Sequence, residues 1–404
     1  MNRDMVVTGI GVVSPIGTRL EEFWQASLAG VCGIRPVESF DTDRYPVTLA
    51  GTVPPFEAEA GIRKRLLPQT DRMTRLALLA STSALEDADV DPAARPPYSM
   101  GVAVSTSTGG LEFGQRELQK LWGTSWDAVS PYMSFAWYYA VNTGQISIKN
   151  GMRGPCGVVV SEQAAGLDTL AFSRRRIRKG TALMTVGGVD GLVCPYGMSV
   201  VSAAHGVSTS GDCAAAFQPF SATSPGFIPG EGGAIFVVES RSDATVRSTA
   251  IYGTVAGYGS AFDPAPAATG DGLFRAAQQA LADAGVAPDE VDVVFADGAG
   301  VPALDQAEAA VITKLFGERR VAVSVPKTMT GRLLAGGAAL DVAWALLSMR
   351  DDIIPPAVNI DEDQLDSSLE LVIGAPRHQR VTNALVLARG HGGFASAVLL
   401  TKPS

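Results

Sequence analysis

Short apolar, β-branched runs alternate with Ala/Leu-rich stretches of helical period along the whole chain. The runs predict strands at Met5–Thr8, Met100–Ser105, Gly157–Ser161, Thr181–Val186, Ala234–Glu239, Val291–Phe295, Val321–Val323, Asn383–Ala388 and Ala397–Leu400. The longer stretches predict helices at Leu20–Leu28, Arg72–Asp87, Leu111–Trp122, Ala165–Arg178, Gly272–Ala284, Pro302–Phe316 and Gly336–Arg350. Strands that are apolar nearly throughout are covered on both faces. Alternating with helices, they predict an α/β layered fold. A polar, charged stretch at Ser240–Arg247 interrupts the pattern. Beyond it, Ile251-Tyr-Gly-Thr-Val-Ala-Gly-Tyr-Gly loosely echoes Val6-Val-Thr-Gly-Ile-Gly near the start. Two halves of similar design are expected, residues 1–245 and 246–404.

Composition adds a question about surface. Apolar residues make up 46% of the 404 positions and charged residues only 18%, against about 25% in an ordinary soluble domain. A large protein exposes less surface per residue, and a face covered by a partner has the same effect. The net charge of −9 excludes a general nucleic-acid binder, which carries a basic patch or stripe. The basic run Arg174-Arg175-Arg176-Ile177-Arg178-Lys179 falls at a predicted helix end, where cations complement the helix dipole. Cys32, Cys156, Cys194 and Cys213 form no CxxC, which suits free thiols in a reducing cytoplasm. Cys156 is placed before its strand and off the turn that follows, and Cys194, Cys213 and His205 are read as packing or loop residues. No long apolar run follows the charges of the first residues, so no signal peptide is expected. No stretch reaches the ~18 apolar residues of a membrane span.

Gly9-Ile-Gly11 follows a strand as a dinucleotide loop does, but the third glycine is displaced to Gly17. Pro15 also interrupts the helix start that would hold a pyrophosphate, so no nucleotide site is expected. Asp297 and Glu308 have no third ligand at a useful spacing, and no metal is expected. Lys327 is expected to hold a turn rather than to act as an acid or base.

Four ordered motifs carry a resemblance. They are Val7-Thr-Gly-Ile-Gly-Val-Val-Ser-Pro-Ile-Gly17 with Phe23-Trp24, Gly33-Ile34 and Phe40-Asp41; Pro219-Phe220, Gly226-Phe227 and Gly230-Glu-Gly-Gly233; Val325-Pro-Lys-Thr-Met-Thr-Gly331; and Gly390-His-Gly-Gly393. Together they resemble the β-ketoacyl synthases over essentially the whole chain. The resemblance implies the thiolase-type layered αβαβα fold built from two similar halves, and a dimer.

A condensing ketosynthase needs a cysteine at a helix N-terminus, where the dipole lowers its pKa. It also needs two histidines to polarise the thioester and stabilise the charge of decarboxylation. At the matching elbow, Val158-Val-Val-Ser161-Glu162-Gln163-Ala164-Ala165, the nucleophile position holds Gln163, whose amide forms no thioester. The first histidine position, in Ala296-Asp297-Gly298-Ala299-Gly300-Val301, holds Asp297, and the second, after the lysine motif, holds Arg332. The only histidines, His205, His378 and His391, match neither.

Ser161-Glu162-Gln163-Ala164, Phe135-Ala-Trp-Tyr-Tyr-Ala-Val-Asn-Thr-Gly-Gln145 and Gly151-Met-Arg-Gly-Pro155 resemble the chain length factor, the ketosynthase-β subunit of type II aromatic polyketide synthases. The resemblance implies a non-condensing subunit of an acyltransferase-type complex in antibiotic biosynthesis. Its partners would be a ketosynthase-α subunit in a heterodimer and an acyl carrier protein carrying phosphopantetheine, with no cofactor bound by this chain. Leu111, Gly114 and Leu118 are spaced i, i+3, i+7 on one helix face. In that subfamily this face lines the polyketide tunnel, and the small Gly114 implies a medium-to-long product; ordinary core packing is the other reading. Gln163 either fills the cysteine's space or donates to a malonyl carbonyl to assist decarboxylation. An autonomous homodimeric malonyl-thioester decarboxylase is the alternative function.

Overall fold

The computed structural model describes residues 4–55, 62, 64–263, 269–360, 365 and 368–403. Eleven of its strands form one sheet made of two arrays. The arrays meet where Val6 and Val7 pair antiparallel with Thr254 and Gly253.

Each array repeats one order. Met5–Val13 pairs antiparallel with Gly232–Ser240, which pairs antiparallel with Leu183–Asp190. Met100–Ser105 and then Cys156–Gly157 continue outward in parallel. In the second array Gly253–Phe262 pairs antiparallel with Phe394–Thr401, and that strand with Asn383–Arg389. Val293–Phe295 and Ala322–Ser324 follow in parallel, with Glu370–Leu371 added at the edge.

The sequence echo has a physical basis. Thr8 has no partner opposite it between Val7 and Gly9, and Ala256 has none between Val255 and Gly257, so both first strands carry a bulge at the same place. After the bulge each strand meets a helix at backbone distance. A Cβ on Gly9 or Gly11 would lie 2.2 or 1.9 Å from the carbonyl oxygen of Ala84 or Ala80, and one on Gly257 or Gly259 would lie 2.0 Å from that of Ala280 or Ala276. The glycines admit the helices Arg72–Asp87 and Asp271–Ala284. That close packing accounts for Gly9-Ile-Gly11.

Five layers result. Outer helices Arg72–Asp87 and Val141–Asn150 cover the first array, and Asp271–Ala284 and Pro302–Phe316 cover the second. Between the arrays lie Ala165–Arg178 and the central helix Ala335–Asp351. Every residue from Ala335 to Met349 is buried, as suits a helix apolar nearly all round, and its one buried acid, Asp341, pairs with Lys327. The fold is the expected thiolase-type αβαβα stack.

Three local readings change. The strand expected over Gly157–Ser161 is Cys156–Gly157 only, because the chain leaves the sheet edge to turn toward the central layer. Cys156 therefore sits in the strand, not before it, and is exposed. The helices Val141–Asn150 and Pro195–Ser202 have weak or polar helical patterns and form by packing their buried faces. Gly253–Phe262 is rich in small residues and is fixed by its two strand neighbours.

Candidate functional site

The elbow is a strained turn. Glu162 takes φ +52°, a left-handed conformation that costs a non-glycine residue about 1 kcal/mol or more. Its carboxylate Oε2 accepts the His391 N–H at 2.7 Å. Ser161 Oγ donates to Asp168, whose other oxygen accepts from Tyr258 OH at 2.7 Å and Ser396 Oγ at 2.5 Å. The elbow is thus tied to the strand Phe394–Thr401 and to the glycine loop before it.

Gln163 follows at the start of the elbow helix. It is fully buried, and neither atom of its amide has a hydrogen-bond partner. The amide lies on the backbone of the central helix, where a Cβ added to Gly337 would sit 2.3 Å from Gln163 Nε2.

The two former histidine positions meet each other. Arg332 Nη2 donates to Asp297 Oδ1 and Nη1 to Oδ2, both at 3.2 Å. Nη1 also donates to the carbonyls of Asp297 and Gly298, and Nη2 to that of Arg389. Arg389 adds a second cation 3.5 Å from Asp297 Oδ2, and its Nη2 donates to Glu308 Oε2 at 3.0 Å. Glu308 accepts the N–H groups of Asp297 and Gly298 at 2.7 and 3.0 Å. Lys327 Nζ donates to the carbonyls of Ala296 and Asp297, each at 2.8 Å, and pairs with Asp341 at 2.7 Å. Three carboxylates and three cations therefore meet in a buried cluster, with the buried Asp305 carboxyl close by.

Burial by itself raises the Asp297 carboxyl, but the fields of Arg332, Arg389 and Lys327 outweigh it and hold Asp297 below the usual carboxylate range. Glu308 is raised, chiefly by burial. Burial pushes Asp341 up to about 6 against the pull of Lys327. A histidine pair would point donors at a thioester oxygen. Here both terminal nitrogens of Arg332 are occupied by protein oxygens. Lys327 holds the turn, and Glu308 serves the backbone and Arg389. Among the described residues no group of three or more potential ligands is placed to hold a metal ion.

Leu111, Gly114 and Leu118, the residues expected to line a tunnel, lie on the helix Leu111–Gly123. Gly114 is buried, while Leu111 and Leu118 are half-buried. A Cβ on Gly114 would lie 3.7 Å from Trp137 Cβ, an ordinary contact. Leu111 packs on the cluster of Val37, Val47, Leu192 and Met198. Beside this helix runs an aromatic strap. Trp122 and Trp126 are 78% and 81% exposed, and Trp137, Tyr138 and Tyr139 are exposed as well.

The family model "Beta-ketoacyl synthase, N-terminal domain" matches residues 2–244, and "Beta-ketoacyl synthase, C-terminal domain" matches residues 252–361. The chain belongs to the β-ketoacyl synthase family. The tetracenomycin polyketide synthase ketoacyl synthase beta subunit of Streptomyces glaucescens is 50% identical over 402 residues, 98% of each chain. The actinorhodin polyketide putative beta-ketoacyl synthase 2 of Streptomyces coelicolor is 50% identical over 400 residues, again 98% of each. Among solved structures, the ishigamide ketosynthase/chain length factor superposes with a TM-score of 0.92 at 27% identity over the full length of both chains. A type II acyl-carrier protein in complex with its ketosynthase bound to the hexaketide gives 0.89 at 25%, also over both full lengths.

In this β-ketoacyl synthase scaffold, Asp297 and Arg332 contact each other, Glu162 lies within electrostatic reach of Arg332, and its neighbour Gln163 packs on Gly337 of the central helix. Leu111, Gly114 and Leu118 lie on a separate helix. Sequence reasoning missed Arg389. Its signal was a single cation closing the apolar run Ala384-Leu-Val-Leu-Ala388. Among the described residues no helix is long and apolar enough to cross a membrane.

Proposed function

We propose that this β-ketoacyl synthase homologue is the non-condensing chain length factor of a type II polyketide synthase. The observation that carries the reading is the Asp297–Arg332 pair. It fills the space of two catalytic histidines with an ion pair whose Arg332 terminal nitrogens are taken up by protein oxygens, beside an elbow that has no thiol. In this reading a ketosynthase-α subunit performs condensation and covers the aromatic strap. The acyl carrier protein brings the growing chain on its own phosphopantetheine, and this chain binds no cofactor. The complex works in the cytoplasm. Leu111, Gly114 and Leu118 shape the tunnel wall at the heterodimer interface.

Co-expression with the ketosynthase of the same gene cluster, then size and mass analysis, tests the proposal. A stable 1:1 heterodimer is expected. A homodimer that ignores the ketosynthase would move the function to an autonomous malonyl-thioester decarboxylase. One observation favours that second chemistry as an added role within the complex: the buried Gln163 amide has no partner of its own, so its N–H groups are available to a malonyl carbonyl.

A further inference from the structure

The gate helix Leu111–Gly123 begins at Gly110 without a side-chain cap of its own. Its N-terminus is held instead by a carboxylate from another element. Asp71 is 2% exposed. Its Oδ1 accepts the Met73 N–H and caps the helix Arg72–Asp87, while Oδ2 accepts the Phe113 N–H, both at 2.8 Å. One carboxylate thus serves two helix N-termini, where orphan N–H groups and the dipole favour an anion. The fit is close, since a Cβ on Gly110 would lie 2.9 Å from Asp71 Cβ.

A second buried acid holds the loop that leads into the gate. Asp190 accepts the N–H groups of Ser107 and Thr108 at 3.0 and 3.2 Å. Its other oxygen accepts the Ala335 N–H at 2.9 Å, at the start of the central helix two residues before Gly337. Asp190 therefore joins the gate loop to the elbow layer, and Asp71 joins the gate helix to the outer layer. From the far side the strap adds Ser130 N–H to Glu117 Oε2 at 2.8 Å and Gly110 N–H to the Trp137 carbonyl at 2.9 Å.

The geometry points to Asp71 as a positioning residue for chain-length selection: its bond to Phe113 fixes the depth at which Leu111, Gly114 and Leu118 stand in the tunnel wall. This inference rests on the gate reading proposed above. A tunnel lined by a helix free to shift by a fraction of a turn would stop chains of different lengths. A clamp made of one buried hydrogen bond in a dry site limits that shift.

The test uses the co-purified complex, with Asp71→Ser as the main variant. Serine is a good N-cap and keeps the bond to Met73, but it is too short to serve Phe113 as well. The expected result is an assembled complex with near-normal melting, a spread of product lengths in place of one main length, and hydrogen exchange at Phe113 about tenfold faster. Asp71→Asn is the second variant, and Gly114→Phe is the control for the gate itself. If Gly114→Phe shortens the product while Asp71→Ser changes neither product lengths nor Phe113 exchange, the Asp71 inference is overturned and the gate reading survives. If Gly114→Phe also has no effect, the gate reading fails and takes the Asp71 role with it. If neither Asp71 variant yields a complex, Asp71 serves folding and not length selection, and the inference is overturned.

Discussion

Arg332 and Asp297 face each other as a two-pronged ion pair, with both N–O distances 3.2 Å, at the two positions where the resemblance to condensing ketosynthases implies histidines. Arg332 depends on this carboxylate, since without Asp297 its buried guanidinium would keep only backbone carbonyl acceptors, while Asp297 also draws on Arg389 and Lys327.

That dependence predicts a large stability loss on breaking the pair. Asp297→Ala leaves Arg332 and Arg389 without their shared carboxylate and should cost about 3–5 kcal/mol. Urea unfolding of the purified complex measures it. A loss under about 1 kcal/mol would show that solvent reaches the cluster.

Gln163 and Gly337 form a second coupled pair. Gln163→Ala should lower priming from malonyl thioester, without added acetyl starter, by up to about a hundredfold, the scale of one lost donor. Gly337→Ala places a methyl where the amide lies and should give the same defect with Gln163 still present. Priming at the native rate in both variants would reduce Gln163 to a space-filler.

Gly114 has room for a side chain toward Trp137. Gly114→Phe should shorten the main polyketide, read by mass spectrometry of the products. Unchanged length would remove this helix face from the tunnel.

Stability should depend on pH in a definite direction. Burial raises Asp71 and Asp305 to about 7 and Asp341 to about 6, from 3.8. For each, the folded state binds the proton more tightly than the unfolded chain. Their contribution is therefore full at pH below the unfolded value and is lost as pH rises through the folded one. The melting temperature should be higher near pH 5 than near pH 8. Asp305→Asn should shrink the difference. Acids held low by arginines, such as Asp283 with Arg174 and Asp351 with Arg350, give the opposite slope below about pH 4. A flat profile between pH 5 and 8 would show that the three carboxyls are hydrated.

Several elements were legible because local pattern and tertiary fate agree. Leu20–Leu28, Arg72–Asp87, Ala165–Arg178 and Pro302–Phe316 have the bounds that their periodicity gives. Val141–Asn150 was not legible, since Asn142, Thr143, Gly144 and Gln145 give no helical stripe and tertiary burial of Val141, Asn142, Thr143 and Ile146 decides it. Arg389 carried only the faint signal of a cation closing an apolar strand, and nothing in its neighbourhood along the chain names Asp297 or Glu308 as its partners.

The sequence by itself determined the layered α/β class, the loss of thiol and imidazole chemistry at Gln163, Asp297 and Arg332, and the glycines that recur at the head of both halves. Those are properties of residue type and spacing, and they hold wherever the chain runs. Only the tertiary structure decided that Asp297, Arg332 and Arg389 neutralise one another, that Gln163 lies unpaired on Gly337, and that Asp71 holds the gate helix. Each of these depends on distances of a few ångströms between residues far apart in sequence, at which hydrogen bonds form and ion pairs are strongest.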